Sequence, residues 1–188
     1  MSRLEESIAL IKTELAGKDR ILVAIDGPCA SGKTTLAEQL SEHFSCPVIH
    51  MDHFFLRPEQ RTPERLAEPG GNFDRERFTA EVLTPLREER SFAYRPFVCS
   101  TMSLGEPIEV QRSPVILIEG SYSCHPDLRN SYNLCLFTTV DPSEQEKRLL
   151  LREGETKLSE FKAKWIPMEE AYLKAFDVAV HCHVLGNE

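Results

Sequence analysis

The order of apolar and polar positions divides the chain into alternating helical and extended segments. Leu4, Ile8, Ile11 and Leu15 recur at helical spacing, one face of an amphipathic helix that Gly17 can end. Ile21-Leu22-Val23-Ala24-Ile25 is a short continuous apolar run, the pattern of a strand buried on both faces. Thr34 to Phe44 reads as a helix and Pro47-Val48-Ile49-His50-Met51 as a second short strand. From Arg57 to Asn72 the chain is polar and rich in Pro and Gly, which suits a long functional loop or lid better than a linker. Phe78, Val82, Leu83 and Leu86 mark a helix through about Arg87. Weak alternation from Phe92 to Val110, around Ser103-Leu104-Gly105-Glu106-Pro107, predicts a hairpin. Val115-Ile116-Leu117-Ile118 is the clearest buried strand of the second half, and Leu134 to Val140 is another, followed by a helix over Ser143–Glu153. A last helix reaches about Lys174, and Val178-Ala179-Val180 is expected to close the sheet.

Apolar strands alternating with helices predict an α/β fold of three layers, a five-stranded, mainly parallel sheet with helices on both faces. The length of 188 residues fits one domain, 1–188, and the ordinary balance of 41% hydrophobic and 28% charged residues argues against a disordered or fibrous chain. Lys plus Arg is 22 against 30 for Asp plus Glu, a formal charge of −8, which disfavours binding to nucleic acid by phosphate neutralisation. No apolar run approaches the roughly 18 residues a bilayer requires. The six cysteines, Cys29, Cys46, Cys99, Cys124, Cys135 and Cys182, form no C-x-x-C pair, and the start Met-Ser-Arg-Leu-Glu-Glu has no apolar signal core. The expectation is a cytoplasmic chain with free thiols.

Gly27-Pro28-Cys29-Ala30-Ser31-Gly32-Lys33-Thr34 fits G-x-x-x-x-G-K-[ST] at every fixed position, with a buried strand running in and a helix running out. Glycines let the backbone curl so that successive N–H groups face an anion, and the helix N-terminus adds its dipole. A tight strand-to-helix turn alone would explain the glycines but not the Lys-Thr pair. Lys33 can reach the β- and γ-phosphates of ATP, and the Thr34 hydroxyl can ligate Mg²⁺. Val115–Ile118 ends in Glu119, a Walker-B arrangement with Glu in place of Asp; a strand beside the first would set it near Thr34. The second strand ends in Met51-Asp52-His53-Phe54-Phe55, so Asp52 falls at the same carboxyl edge, where a carboxylate can take the proton of a hydroxyl acceptor. A strand-ending acid that only caps a turn is the plainer alternative. There is no Asn-Lys-x-Asp guanine-reading element, which sets a GTPase aside and leaves a small phosphotransferase of the P-loop class.

Gly27 to Thr35, Asp52-His53-Phe54-Phe55, Asn72-Phe73-Asp74 and Ile118-Glu119-Gly120 stand in the order and approximate spacing of the uridine kinase family, which the chain resembles over about residues 20–182. The resemblance implies a P-loop kinase with a substrate-binding insertion over 52–110 and a lid over 143–165, leaving the helix of 1–17 outside. It implies Asp52 as catalytic base, Asp74 as the residue that grips ribose hydroxyls, Phe55 and Phe73 as pocket walls and Glu119 as the acid that organises the metal. Tyr94 and Phe97, in Tyr94-Arg95-Pro96-Phe97 at the place of the family's Tyr-x-Phe element, join the implied substrate set. Asp74 is also placed to cap a helix at Arg75-Glu76-Arg77-Phe78, and the phenylalanines to fill core. The family's base-reading His and Arg do not follow Phe97, where the chain reads Val98-Cys99-Ser100-Thr101-Met102.

Arg148 and Arg152 lie one helical turn apart, where two guanidinium groups can face a transferring phosphoryl group; a solvated face with Glu144 paired to Arg148 is the plainer reading. The helix terminus behind Cys29 is expected to lower its thiol pKa and make it redox-sensitive. His181-Cys182-His183 reads as structural, Trp165 as packing, and His53 as either a pocket or a surface residue. The function expected is transfer of the ATP γ-phosphoryl to a primary hydroxyl, foremost a nucleoside 5′-OH. A vitamin- or sugar-type alcohol is the alternative acceptor, and a nucleotide-binding regulator with negligible turnover the alternative class. Homo-oligomerisation is left open.

Overall fold

Ile21–Asp26 forms strand β1, every residue of it buried, as the apolar run requires. The other strands are β2 (Val48–His50), β3 (Phe92–Tyr94), β4 (Phe97–Val98), β5 (Ser103–Leu104), β6 (Ile108–Val110), β7 (Val115–Glu119), β8 (Leu134–Phe137) and β9 (His183–Val184). The computed structural model describes residues 1–88 and 90–186. The central sheet has the order β2-β7-β1-β8-β9 and all its pairings are parallel. The helices are α1 (Arg3–Leu15), α2 (Lys33–Phe44), α3 (Pro63–Ala67), α4 (Arg75–Phe78), α5 (Thr84–Arg87), α6 (Pro126–Arg129), α7 (Pro142–Glu153), α8 (Glu155–Glu160) and α9 (Ile166–Ala175). Single π-helical turns, Thr79–Leu83 and Phe161–Trp165, join α4 to α5 and α8 to α9.

Strand alternation splits the core into two layers. Ile21, Val23 and Ile25 pack with Ile11, Leu36 and Leu40 beneath α1 and α2. Leu22 and Ala24 point the other way, into a cluster with Phe54, Phe73, Phe78 and Tyr172. The three-layer architecture expected from the sequence is therefore the one observed. No helix among the described residues is long and apolar enough to cross a membrane.

Several local expectations are corrected. Val178–His181 is a turn of 3-10 helix, and the edge strand is His183–Val184. Asp177 adopts a left-handed φ of 45° that turns the chain, Val178 is buried, and Val180 is left exposed. A three-residue apolar run does not carry enough periodicity to separate a strand from a helical turn. The single hairpin of 92–110 is two antiparallel pairs, β3 with β6 and β4 with β5. The polar stretch 57–72 contains a 3-10 turn, Pro58–Gln60, and helix α3. A bridge between Phe55 and Phe73 and a 3.2 Å bond from Leu56 N–H to the Asn72 carbonyl close its base.

Candidate active site

The phosphate-loop motif occupies the turn from β1 into α2. Gly27 leaves the strand at φ +142°, and a Cβ there would stand 2.3 Å from the Thr138 carbonyl oxygen, so only glycine fits. Gly32, at φ +93°, opens α2. Outside groups hold the loop carbonyls: Arg3 Nη1 donates to Ser31 at 2.8 Å, Arg148 Nη1 to Ala30 at 3.2 Å, and Gln145 Nε2 to Cys29 at 2.9 Å. The Lys33 ammonium folds over the loop onto the carbonyls of Gly27 and Pro28, 2.8 Å each. The Cys29 N–H donates to Glu169 Oε2 at 2.8 Å.

Parallel pairing sets the carboxylates at one edge. Ile25 stands opposite Glu119 across β1 and β7, and His50 opposite Glu119 across β2 and β7. Thr34 Oγ1 consequently donates to Glu119 Oε2 at 3.2 Å, while His50 Nδ1 lies 2.5 Å from Glu119 Oε1. That hydrogen bond raises the His50 pKa against the opposing effect of burial. Asp52 follows on a 3-10 turn after β2 and reaches the same space. The surrounding protein atoms raise its pKa above the ordinary carboxylate value, and the charge of Glu119 adds to this.

Lys33, Thr34, Asp52 and Glu119 line one cavity of about 880 Å³. Cys29, Ala30, Gly32, Lys33, Thr34 and Thr35 line it from the loop and the start of α2, Asp52, Phe55 and Glu119 from the strand ends beyond β2 and β7, and Arg148 and Arg152 from α7. The π-helical turn Phe161–Trp165 after α8 brings Phe161 and Trp165 to the cavity wall. Trp165 therefore faces the site instead of only packing. Arg148 is also paired with Glu144 at 3.0 Å, so the plainer reading of that face and its place at the site coexist.

Four substrate-side candidates are placed elsewhere. Phe73 is wholly buried and stacks on Tyr122, ring centroids 6.0 Å apart, so it backs a wall residue without being one. Asp74 Oδ1 caps α4 by accepting from Arg77 N–H at 3.0 Å. Its buried Oδ2 has no hydrogen-bond partner and lies near Arg57 and Arg77, at 3.8 and 3.6 Å. Tyr94 is buried against Phe54 and bonds His53 Nδ1 at 3.0 Å, which also takes His53 away from the cavity. Phe97 is buried beneath the Arg61 guanidinium. The expectation for Cys29 is reversed as well: burial, with the charge of Glu169, pushes its thiol up to about 12, outweighing the helix terminus.

The sequence reading passed over several groups. Asp26 ends β1 fully buried, accepting from Gly27 N–H at 2.6 Å, Cys124 N–H at 2.9 Å and the Tyr172 hydroxyl at 2.8 Å. Desolvation raises its pKa to about 6 despite these bonds. An acid closing an otherwise apolar strand was a visible signal for it. His50, two residues before Asp52 on the same strand end, was another. Glu169, which accepts from Ser121 Oγ at 2.6 Å as well as from the loop, gave no signal, because an acid on a late helix looks like any solvated one. Arg61, Cys99 and Met102 reach the cavity from the insertion.

A glycine-rich loop on a strand-to-helix turn, a lysine folded over it and an acid on the neighbouring parallel strand define the P-loop class of nucleotide-binding folds. Among solved structures, the chain is similar to a protein from Bacillus stearothermophilus described as a possible uridine kinase, with 23% identity, coverage of 98% of this chain and 97% of that one, and a TM-score of 0.70. It is also similar to a Silicibacter sp. TM1040 protein provisionally described as a fructose transport system kinase, with 21% identity, coverage of 93% and 95%, and a TM-score of 0.68. The fold is thus that of P-loop kinases over nearly the whole chain. No family profile matches the chain, and no curated protein matches its sequence.

Proposed function

We propose that the protein is a P-loop phosphotransferase that moves the γ-phosphoryl of ATP to a primary hydroxyl of a small molecule, first among them the 5′-OH of a nucleoside. The observation that carries this is the convergence of the loop, Lys33, Thr34, Glu119 and Asp52 on one cavity. Lys33, released from the Gly27 and Pro28 carbonyls, holds the β- and γ-phosphates with the loop amides. Asp52 orients the acceptor hydroxyl and takes its proton as the oxygen attacks phosphorus. Its raised pKa suits a base that must accept a proton in the transition state. Arg148 and Arg152 line the same cavity, and in this reading their guanidinium groups stabilise the charge that spreads over the transferred group. The Thr34 hydroxyl and Glu119 carboxylate are hard oxygen donors that fit Mg²⁺, which when bound would neutralise phosphate charge.

A non-nucleoside alcohol is the second reading, favoured by the absence of Phe73, Asp74, Tyr94 and Phe97 from the cavity wall and the presence of Arg61, Cys99 and Met102 on it. In either case the partners are ATP and a small acceptor, the insertion 52–110 and lid 143–165 serve one catalytic domain, and the six free thiols suit the cytoplasm. Asp52→Asn is expected to keep ATP affinity within a few-fold and to lower kcat by roughly 10²–10⁴. Wild-type turnover in that variant removes Asp52 from the mechanism.

A further inference from the structure

On the sheet face away from α1 and α2, three cysteines remote in sequence come together. Cys124 follows β7, Cys135 lies in β8, and Cys182 immediately precedes β9. Their sulfur atoms all lie within 4.8 Å of one another. Cys124 is fully buried, and Cys135 and Cys182 are half-buried. Thiols often pack as small hydrophobic groups, and here Cys124 belongs to the core cluster while Cys135 and Cys182 pack against it. Packing does not explain the polar groups around them. The Tyr132 hydroxyl and Arg129 Nη1 are both buried with no hydrogen-bond partner. Tyr132 has Cys124 and Cys135 as its main electrostatic neighbours, and Arg129 acts on Cys135. A hydroxyl and a guanidinium nitrogen without partners, both within electrostatic reach of the cluster, are groups that a negatively charged thiolate site would use.

We propose that Cys124, Cys135 and Cys182 form a three-thiolate binding site for a soft metal ion, monovalent copper above all. Soft thiolate ligands select such ions. An ion at the centre of three sulfurs, about 2.3 Å from each, needs sulfur–sulfur separations of about 4.0 Å, within a short side-chain adjustment of the arrangement present. Copper(I) is satisfied by three sulfurs in a plane. Zinc asks for a fourth ligand, and among the described residues no further His, Cys, Asp or Glu completes the group. His181 and His183 flank Cys182; neither belongs to the group, and His183 is bonded to Glu6 at 2.8 Å. Binding replaces three S–H bonds with three metal–sulfur bonds, the three protons leave to solvent, and no oxidation occurs. Arg129 and Tyr132 would then lie in the field of the net negative cluster. The ion would fasten β9 to β8 at the edge of the sheet, far in function from the phosphate loop.

The test is a titration of the reduced full-length chain with copper(I) presented by a chromophoric chelator, with zinc(II) in parallel. The expected result is one equivalent of copper withdrawn from the chelator, an ultraviolet sulfur-to-metal charge-transfer band, and a rise in Tm. Cys135→Ser and Cys182→Ser should each lose the stoichiometric binding and the Tm rise, while Cys99→Ser and Cys29→Ser keep both. Far-ultraviolet circular dichroism establishes that each variant is folded, and Cys182→Ala replaces any that is not. Equal copper uptake by wild type and by folded Cys135→Ser and Cys182→Ser, no uptake by wild type, or uptake of zinc but not copper overturns the proposal.

Discussion

Asp52 and Asp26 are both strand-end acids with raised pKa values, and they have opposite uses. Asp52 is reachable from the cavity, so its ionisation should appear in the rate. We expect kcat/KM to fall on acidification through a pKa above the ordinary 3.8 of aspartate. The neighbouring His50 holds that pKa down, so His50→Gln should move the acidic limb to higher pH; a limb that stays or moves down contradicts the assignment. Asp26 is sealed off, and its ionisation should appear in stability. Its folded pKa of about 6 lies above the unfolded value near 3.8. The stability linked to protonated Asp26 is therefore full below pH 4 and lost as pH rises through about 6, on the order of 3 kcal/mol in all. Denaturant unfolding of wild type and Asp26→Asn should show their stability difference shifting by about that amount across this window; a constant difference contradicts it. The phosphate loop, Glu119 and Asp52 were legible in the sequence because strand ends in a parallel sheet share one edge, so a strand assignment already places them. Phe73, Asp74, Tyr94 and Phe97 were not. Whether an aromatic ring or a buried acid faces a cavity or a core depends on packing from distant elements.

Elements joined over long sequence distances hold the loop in shape. Helix α1 precedes the motif-bearing stretch of the sequence, yet its Arg3 is buried and donates to Ser31, Thr139 and Gly186 carbonyls at 2.6–2.8 Å. Arg3→Met should lower the unfolding free energy by about 2–4 kcal/mol, read from urea midpoints, because it strands three carbonyls and removes their charged donor. At the other end, α9 presents Glu169 to the loop amide of Cys29, an acid where phosphate oxygens would compete. Glu169→Gln should tighten ATP binding several-fold by calorimetry; weaker binding would mean that Glu169 supports the bound state. The strong periodicities of α1, α2 and α7 made these helices readable. The edge strand β9 was not, since His183 and Val184 are exposed and carry no alternation.

At the scale of the whole molecule, a net charge of −8 coexists with a proposed site for polyphosphate. Backbone amides, Lys33, Arg148 and Arg152 supply the local field, and the acids Asp52 and Glu119 belong to the same site. The sequence made the P-loop fold legible, but not the full lining of the cavity, because Arg61, Cys99 and Met102 reach it from loop and hairpin segments with no shared periodicity. The central claim is that ATP is consumed by transfer to an alcohol through Asp52. Its most direct test is ADP release by wild type and Asp52→Asn, with Mg²⁺ and ATP, across nucleosides, sugars and other small alcohols. The account predicts ADP formation that rises with a specific acceptor in wild type and falls by roughly 10²–10⁴ in the variant. ADP formation indifferent both to every acceptor and to the substitution would contradict it.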